Sequence, residues 1–168
     1  MKRRYVAFLR AISNVGMKPF RQAIEELGFA DVESYGMSGN LLFNARGTDT
    51  AGMERRIARR LSAPAFVRTR AELARIVGRD PYGSSILFLA RAPTKAKREA
   101  FRALEFEARP PILSGKTAYY VWPARLRGKR TPLDLERVLG VQGTFRSSRV
   151  VRRLVELMAK DARPKRRR

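Results

Sequence analysis

The chain contains no cysteine and no histidine. Without cysteine there is no disulfide, no thiolate nucleophile and no cysteine zinc site. Without histidine the commonest general base and the commonest metal ligand are missing. Any catalysis would have to run on Asp, Glu, Lys, Tyr, Ser or an external cofactor. The composition therefore leans against an enzyme, and neither a metal nor a cofactor is expected. Acidic residues are scarce: 15 Asp and Glu stand against 37 Lys and Arg, a formal net charge of +22. Long apolar runs are lacking too, and none reaches the ~18 residues of a membrane-spanning helix. After the basic start Met1-Lys-Arg-Arg4, the apolar run Tyr5–Leu9 is cut by Arg10. That is short of the ~7–15 residues of a signal peptide. A cytoplasmic protein without membrane association is expected.

What is present is a chain of 168 residues, 44% hydrophobic, enough for one domain or two small halves with a core. The charge is not confined to the end. Residues 161–168 hold five cations and one acid, so +18 of the +22 lies on residues 1–160. A body this basic repels itself unless an anion is near, and nucleic acid is the obvious polyanion. An arginine-rich solvated surface accounts for the same composition.

Hydrophobic patterning places the elements. Arg4–Arg10 is a buried strand carrying Tyr5–Leu9 in a row, and Met17, Phe20, Ile24 and Leu27 recur at helical spacing in a helix from about Pro19 to Leu27 that Gly28 ends. Asp31–Met37 and Leu41–Phe43 are the arms of a hairpin whose turn is Gly39-Asn40, with Ser38 and Asn40 at an exposed corner. Met53, Ile57 and Leu61 mark a second helix, and Pro64–Arg68 a short strand. Thr69 and Glu72 form a capping box at the start of a third helix. The pattern then recurs: a strand over Ser85–Ala90, a helix over Lys95–Leu104, strands at Glu105–Arg109 and Thr117–Trp122, a helix from Thr131 to Leu139, a weak strand over Gln142–Arg146 and a final helix over Arg149–Lys160. The order strand-helix-strand-strand-helix-strand, met twice, is that of the ferredoxin-like fold. The expected fold class is thus α+β, two ferredoxin-like halves with added helices. Residues 1–69 form the first half, 70–83 a connecting helix and turn, and 84–160 the second half with the C-terminal helix. Residues 161–168 are expected to be a disordered basic tail.

Two motifs lose their functional reading. Pro110-Pro-Ile-Leu-Ser-Gly-Lys-Thr117 has Pro where a P-loop needs its first Gly and leads into a strand instead of a helix. Ser114-Gly-Lys-Thr117 is therefore a hairpin turn. Tyr119, Tyr120 and Trp122 suggest a base-stacking platform, but aromatics alternating on a strand more often serve cross-strand packing.

The remaining signals are basic clusters and one loop corner. Arg55, Arg56, Arg59 and Arg60 share the polar side of the second helix as a phosphate track. A second cluster is Arg125, Arg127, Lys129 and Arg130, and a third is Arg146, Arg149, Arg152 and Arg153. These make nucleic acid or another polyanion the expected partner, provided the clusters share a face. The alternative is an enzyme or a small-ligand binder for a phosphate- or carboxylate-bearing molecule, with its site at the corner of Arg10, Asn14, Ser38, Gly39 and Asn40. Asn and Gly also shape turns for purely backbone reasons. The oligomeric state is not legible.

A set of residues also resembles a known family. Tyr5-Val-Ala-Phe-Leu-Arg10, Ile12, Asn14-Val-Gly16, Leu27-Gly-Phe29, Tyr35, Ser38-Gly-Asn40 and Phe43 closely resemble the bacterial domain-of-unknown-function family 1697. Arg68-Thr-Arg-Ala-Glu-Leu73 is similar to its middle segment. Leu135-Glu-Arg137, Leu139-Gly140, Thr144, Arg146 and Leu154 are similar to its C-terminal segment. The resemblance implies two ferredoxin-like units and no established activity. The chain departs from the family in its first loop, which reads Ala-Ile-Ser-Asn-Val-Gly where the family tends to have Gly-Ile-Asn-Val-Gly-Gly. It departs again at Ser147-Ser148, where the family usually has Asn-Trp, and at Val150, where it has Thr.

Overall fold

Tyr5, Val6, Ala7, Phe8 and Leu9 are all fully buried, so strand β1 (Lys2–Leu9) has a covered face on both sides. This explains why it reads as a continuous apolar run and not as an alternation. The computed structural model describes residues 2–12, 16–128 and 134–160. The chain divides into two compact units, Met1–Arg75 with Val151–Arg168, and Ile76–Val150.

In the first unit β1 is followed by α1 (Lys18–Glu26), β2 (Ala30–Ser34), β3 (Asn40–Arg46), α2 (Thr50–Leu61) and β4 (Ala65–Thr69). The sheet is antiparallel in the order β2-β3-β1-β4. Its helix-facing side chains, among them Tyr5, Leu9, Phe43 and Val67, pack on Ile24 of α1 and on Met53 and Ile57 of α2. Asp49 caps α2 by accepting from Gly52 N at 2.8 Å, and Ser62 ends it at φ +50. Helix α3 (Arg70–Gly78) opens on the expected capping box. The Thr69 N–H donates to Glu72 Oε2 at 2.8 Å, and the Glu72 N–H donates to Thr69 Oγ1 at 3.2 Å.

The second unit holds β5 (Ser85–Leu89), α4 (Lys95–Arg102), β6 (Ile112–Ser114), β7 (Thr117–Tyr120), α5 (Leu135–Leu139) and β8 (Gly143–Ser147), and the start of α6 (Ser148–Lys160). Its sheet runs β6-β7-β5-β8, again antiparallel. Strand for strand this is the order of the first unit, so both units have the ferredoxin-like plan expected from the sequence. Leu87, Leu89, Tyr120, Phe101, Leu135 and Leu139 form its helix-side core. Among the described residues no helix is long and apolar enough to cross a membrane.

Several boundaries differ from expectation. The expected strand over Glu105–Arg109 is replaced by β6 beyond Pro110-Pro111, and Phe106 makes only an isolated bridge with Leu126. The two prolines cannot donate to a ladder, so regular pairing starts after them. Ser114-Gly-Lys-Thr117 is the β6–β7 hairpin, with Gly115 at φ +57. Helix α5 starts at Leu135, because Asp134 is its cap and accepts from Arg137 N at 3.1 Å. The expected start, Thr131-Pro132, lies outside the described residues.

Candidate functional site

The corner predicted around Arg10 is assembled by the register of β1 on β3. Phe8 lies opposite Asn40, and the Leu9 N–H donates to Gly39 O at 2.8 Å. Gly39 has φ +70, and a Cβ on it would lie 2.9 Å from Leu9 Cβ and 3.2 Å from Ile12 Cβ. Only glycine fits there. Arg10 is half-buried and Ser38 is exposed. Asn40 departs from expectation: it is 2% exposed, begins β3, and its Nδ2 donates to Tyr35 O at 2.9 Å. Its amide closes the loop between β2 and β3, so it is not displayed at an open corner. Asn14 lies outside the described residues. Ala11 carries φ +59, a left-handed conformation that costs a residue with a Cβ about 1–2 kcal/mol.

The arginines of α2 are more engaged than a phosphate track requires. Arg56 donates to Leu27 O and sits 4.9 Å from the centroid of the Phe29 ring. Arg60 pairs with Glu26, its Nε at 3.1 Å. Arg55 approaches Asp49 at 3.8 Å. Arg59 is exposed and makes no ion pair among the described residues. Of the second cluster, Arg127 lies 3.5 Å from Glu105, and Lys129 and Arg130 fall outside the described residues.

The third cluster divides by side of α6. Arg149, Arg152 and Arg153 are exposed, while Val151, Leu154 and Met158 are buried. Arg153 is tied to Glu156 at 2.7 Å. Arg146, expected beside them, is instead buried on β8, with NH1 donating to Thr144 Oγ1 at 2.9 Å and to Phe145 O at 2.7 Å. Burial lowers its pKa to about 10.

The aromatic residues also separate. Tyr119 and Tyr120 are core residues, 2% and 3% exposed, as the cross-strand reading expects. Burial pushes the Tyr120 hydroxyl up to about 12, against a hydrogen bond with Ser85 and with help from the Glu136 charge. The Tyr119 hydroxyl donates to Ile76 O at 3.1 Å, and its pKa is raised mainly by burial and then by Asp80, with Arg79 opposing. Trp122 is 55% exposed and stacks on Phe145, itself 56% exposed, with centroids 5.7 Å apart and planes 13° from parallel. Sequence position alone does not single out Phe145. The one signal is an aromatic in a strand whose neighbours, Thr144 and Arg146, are polar.

No curated protein matches the chain. Among solved structures it is similar to the conserved bacterial protein SP0830 from Streptococcus pneumoniae, at 15% identity and a TM-score of 0.62. The match covers 94% of this chain and 99% of that one, a likeness of fold alone. The model of the family described as "Protein of unknown function (DUF1697)" matches residues 1–119. With most of its length so matched, the chain belongs to the DUF1697 family of proteins of unknown function.

Proposed function

We propose that this is a cytoplasmic, non-catalytic binding protein for a polyanion, with nucleic acid as its ligand, held by exposed arginines. One observation carries the reading. With 37 basic and 15 acidic residues, 22 cations stay unmatched even if every carboxylate takes one of them. Arg59, Arg149 and Arg152 are three such cations on helix surfaces, exposed and without an ion pair among the described residues. The paired arginines of α2 contribute less, since each phosphate contact there would first have to displace Asp49, Glu26 or the Leu27 carbonyl. Arginine–phosphate contacts position a ligand without reading its sequence, so little sequence preference is expected.

The test is binding of the full chain to labelled single-stranded RNA, duplex DNA and a non-nucleic polyanion across a salt series. The expected result is preference for a nucleic acid, with a log–log slope of about −0.9 for each duplex phosphate contacted. Equal binding of all three would reduce the charge to a non-specific attraction.

One observation favours a second reading, a small phosphate- or carboxylate-bearing ligand at the corner of Arg10, Asn14 and Ser38–Asn40. The left-handed Ala11 next to Arg10 is the kind of backbone strain that collects at binding sites. The buried Asn40 amide already serves the β2–β3 loop, which weakens that reading. Inorganic phosphate that raises the melting temperature of the wild type, but not of Arg10→Gln, would support it.

A further inference from the structure

The two units share one strand order but not one helix length, and the difference opens a cavity. In the first unit α2 has 12 residues and lies against β4, burying Val67, which stands opposite Ala7 of β1. The corresponding pair in the second unit is Phe145 opposite Leu87 of β5. There the matching helix, α5, has only five residues. Less than half the helix covers the sheet edge, and Phe145 stays 56% exposed on the side where Val67 is sealed. Beside it is an open cavity of about 170 Å³ with Tyr120, Trp122 and Phe145 among its walls and Leu87 at its floor. Tyr120 is tilted 60° to Trp122, while Phe145 is near-parallel to it, so ring surfaces border the cavity at two inclinations.

The electrostatics of this cavity run against those of the whole chain. Lys and Arg outnumber Asp and Glu 37 to 15, yet both charged residues among the described lining, Asp134 and Glu136, are acidic, Asp134 being shared with the exposed Arg137 at 4.0 Å. The Glu136 charge also bears on the hydroxyl of Tyr120, another of the lining residues. Aromatic faces carry negative potential, and so do carboxylates. A phosphate is repelled by both. A cation with an apolar skin is attracted by both and loses little hydration on entry, which is why aromatic cages hold quaternary ammonium groups.

We propose that the cavity bounded by Tyr120, Trp122 and Phe145, with Asp134 and Glu136 at its edge, binds a small organic cation bearing a trialkylammonium group. The site is separate from the polyanion surface, and its charge preference is opposite. Either reading stands if the other fails.

Trp122 is the only tryptophan in the chain, so its fluorescence reports on the cavity without labelling. The full-length protein is titrated with choline chloride and, in parallel, with 3,3-dimethylbutan-1-ol, the uncharged analogue with carbon in place of nitrogen. Ionic strength is held constant with sodium chloride. A saturable change with choline is expected, and binding about tenfold weaker for the alcohol. Glu136→Gln, at a half-buried carboxylate, and Phe145→Leu, which keeps apolar bulk but removes the ring, are each expected to weaken choline by about 5–10-fold. Circular dichroism should show unchanged folding. Glu136→Gln is the deciding variant if Phe145→Leu does not fold. Equal affinity for choline and the alcohol overturns the proposal in favour of a merely apolar pocket. So does the absence of a saturable choline response, or choline affinity unaltered in Glu136→Gln.

Discussion

Arg68 and Arg146 hold the same place in the two units: each is the fourth residue of the strand that closes its sheet, opposite Val6 in one case and Ile86 in the other. Both are buried, but their surroundings differ. Arg68 NH1 lies 3.0 Å from Glu54 Oε1, which also accepts from the Val67 N–H at 2.8 Å. β4 is an edge strand, so Glu54 satisfies a backbone donor that has no neighbouring strand. Arg146 donates to Thr144 Oγ1 and Phe145 O, both neutral acceptors.

Glu54→Ala should therefore cost about 2–4 kcal/mol, because it takes the carboxylate from a buried guanidinium, which keeps the Val67 carbonyl at 2.8 Å, and leaves a buried N–H unmet. Glu54→Gln keeps an acceptor and should cost roughly 1 kcal/mol. Urea unfolding monitored by circular dichroism measures both. A Glu54→Ala variant as stable as wild type would show that Arg68 does not depend on this carboxylate.

Ala11 and Gly39 touch the same corner and should respond in opposite senses to changing their Cβ. At φ +59, Ala11→Gly relieves about 1–2 kcal/mol of strain and gives back about 0.5–1 through the unfolded chain, for a net stabilisation of about 0.5–1 kcal/mol. Gly39→Ala adds a Cβ at φ +70 and 2.9 Å from Leu9 Cβ, and should cost about 2 kcal/mol or more. The family resemblance points the same way, since Ala11 stands where relatives tend to carry Gly. Shifts of melting temperature in opposite directions are the expected readout. Loss of stability in Ala11→Gly would mean that its methyl group packs usefully.

These particular residues show which features are legible in the sequence. The double ferredoxin-like order is readable because each strand–helix alternation carries its own period, and because caps such as Thr69–Glu72 are local chemistry. Asn40 reads as an exposed turn residue because turn propensity outranks pairing when only neighbours are visible. The register Phe8 to Asn40 is a long-range fact. Arg146 reads as a surface cation because burial on β8 reverses the usual polarity: Thr144 and Arg146 are buried and Phe145 is exposed. The exposure of Phe145 depends on how far α5 extends, and five residues between two caps leave no periodic signal to measure. A sequence reading sorts apolar residues inward by default, so a cavity walled by exposed aromatics is invisible to it.

The buried tyrosines set the behaviour at alkaline pH. The folded Tyr120 pKa is raised from 10.0 to about 12. Its contribution to stability is thus complete below pH 10 and is lost as pH rises toward 12. Tyr119 acts in the same direction. Arg146 acts against them, since a folded pKa lowered to about 10 relieves a penalty across the same window. Comparing variants isolates the part that belongs to Tyr120. Between pH 10 and 12 the wild type should lose about 2 kcal/mol relative to Tyr120→Phe, measured as reversible urea unfolding. Parallel stability curves for the two proteins would mean that Tyr120 ionises as freely in the folded chain as in the unfolded one.

The arginines of α2 and α6 should separate binding from stability. Arg149 and Arg152 are exposed and make no ion pair among the described residues, so replacing both with Ala should change stability by no more than about 0.5 kcal/mol. Every phosphate that the protein ceases to neutralise takes about 0.9 off the salt slope, so the double variant should lower the slope on duplex DNA by about 1.8. Arg56 and Arg60 should do the reverse. Arg56 holds the Leu27 carbonyl and covers Phe29, and Arg60 pairs with Glu26, so Arg56→Ala with Arg60→Ala should cost about 1–2 kcal/mol of stability. The salt slope should change less than in the α6 variant, because these guanidinium groups already have partners within the fold. An unchanged slope in Arg149→Ala/Arg152→Ala would remove α6 from the binding surface. A weaker slope in the α2 variant alone would move that surface to α2, where ligand phosphates would have to outcompete Glu26 and the Leu27 carbonyl for the same arginines.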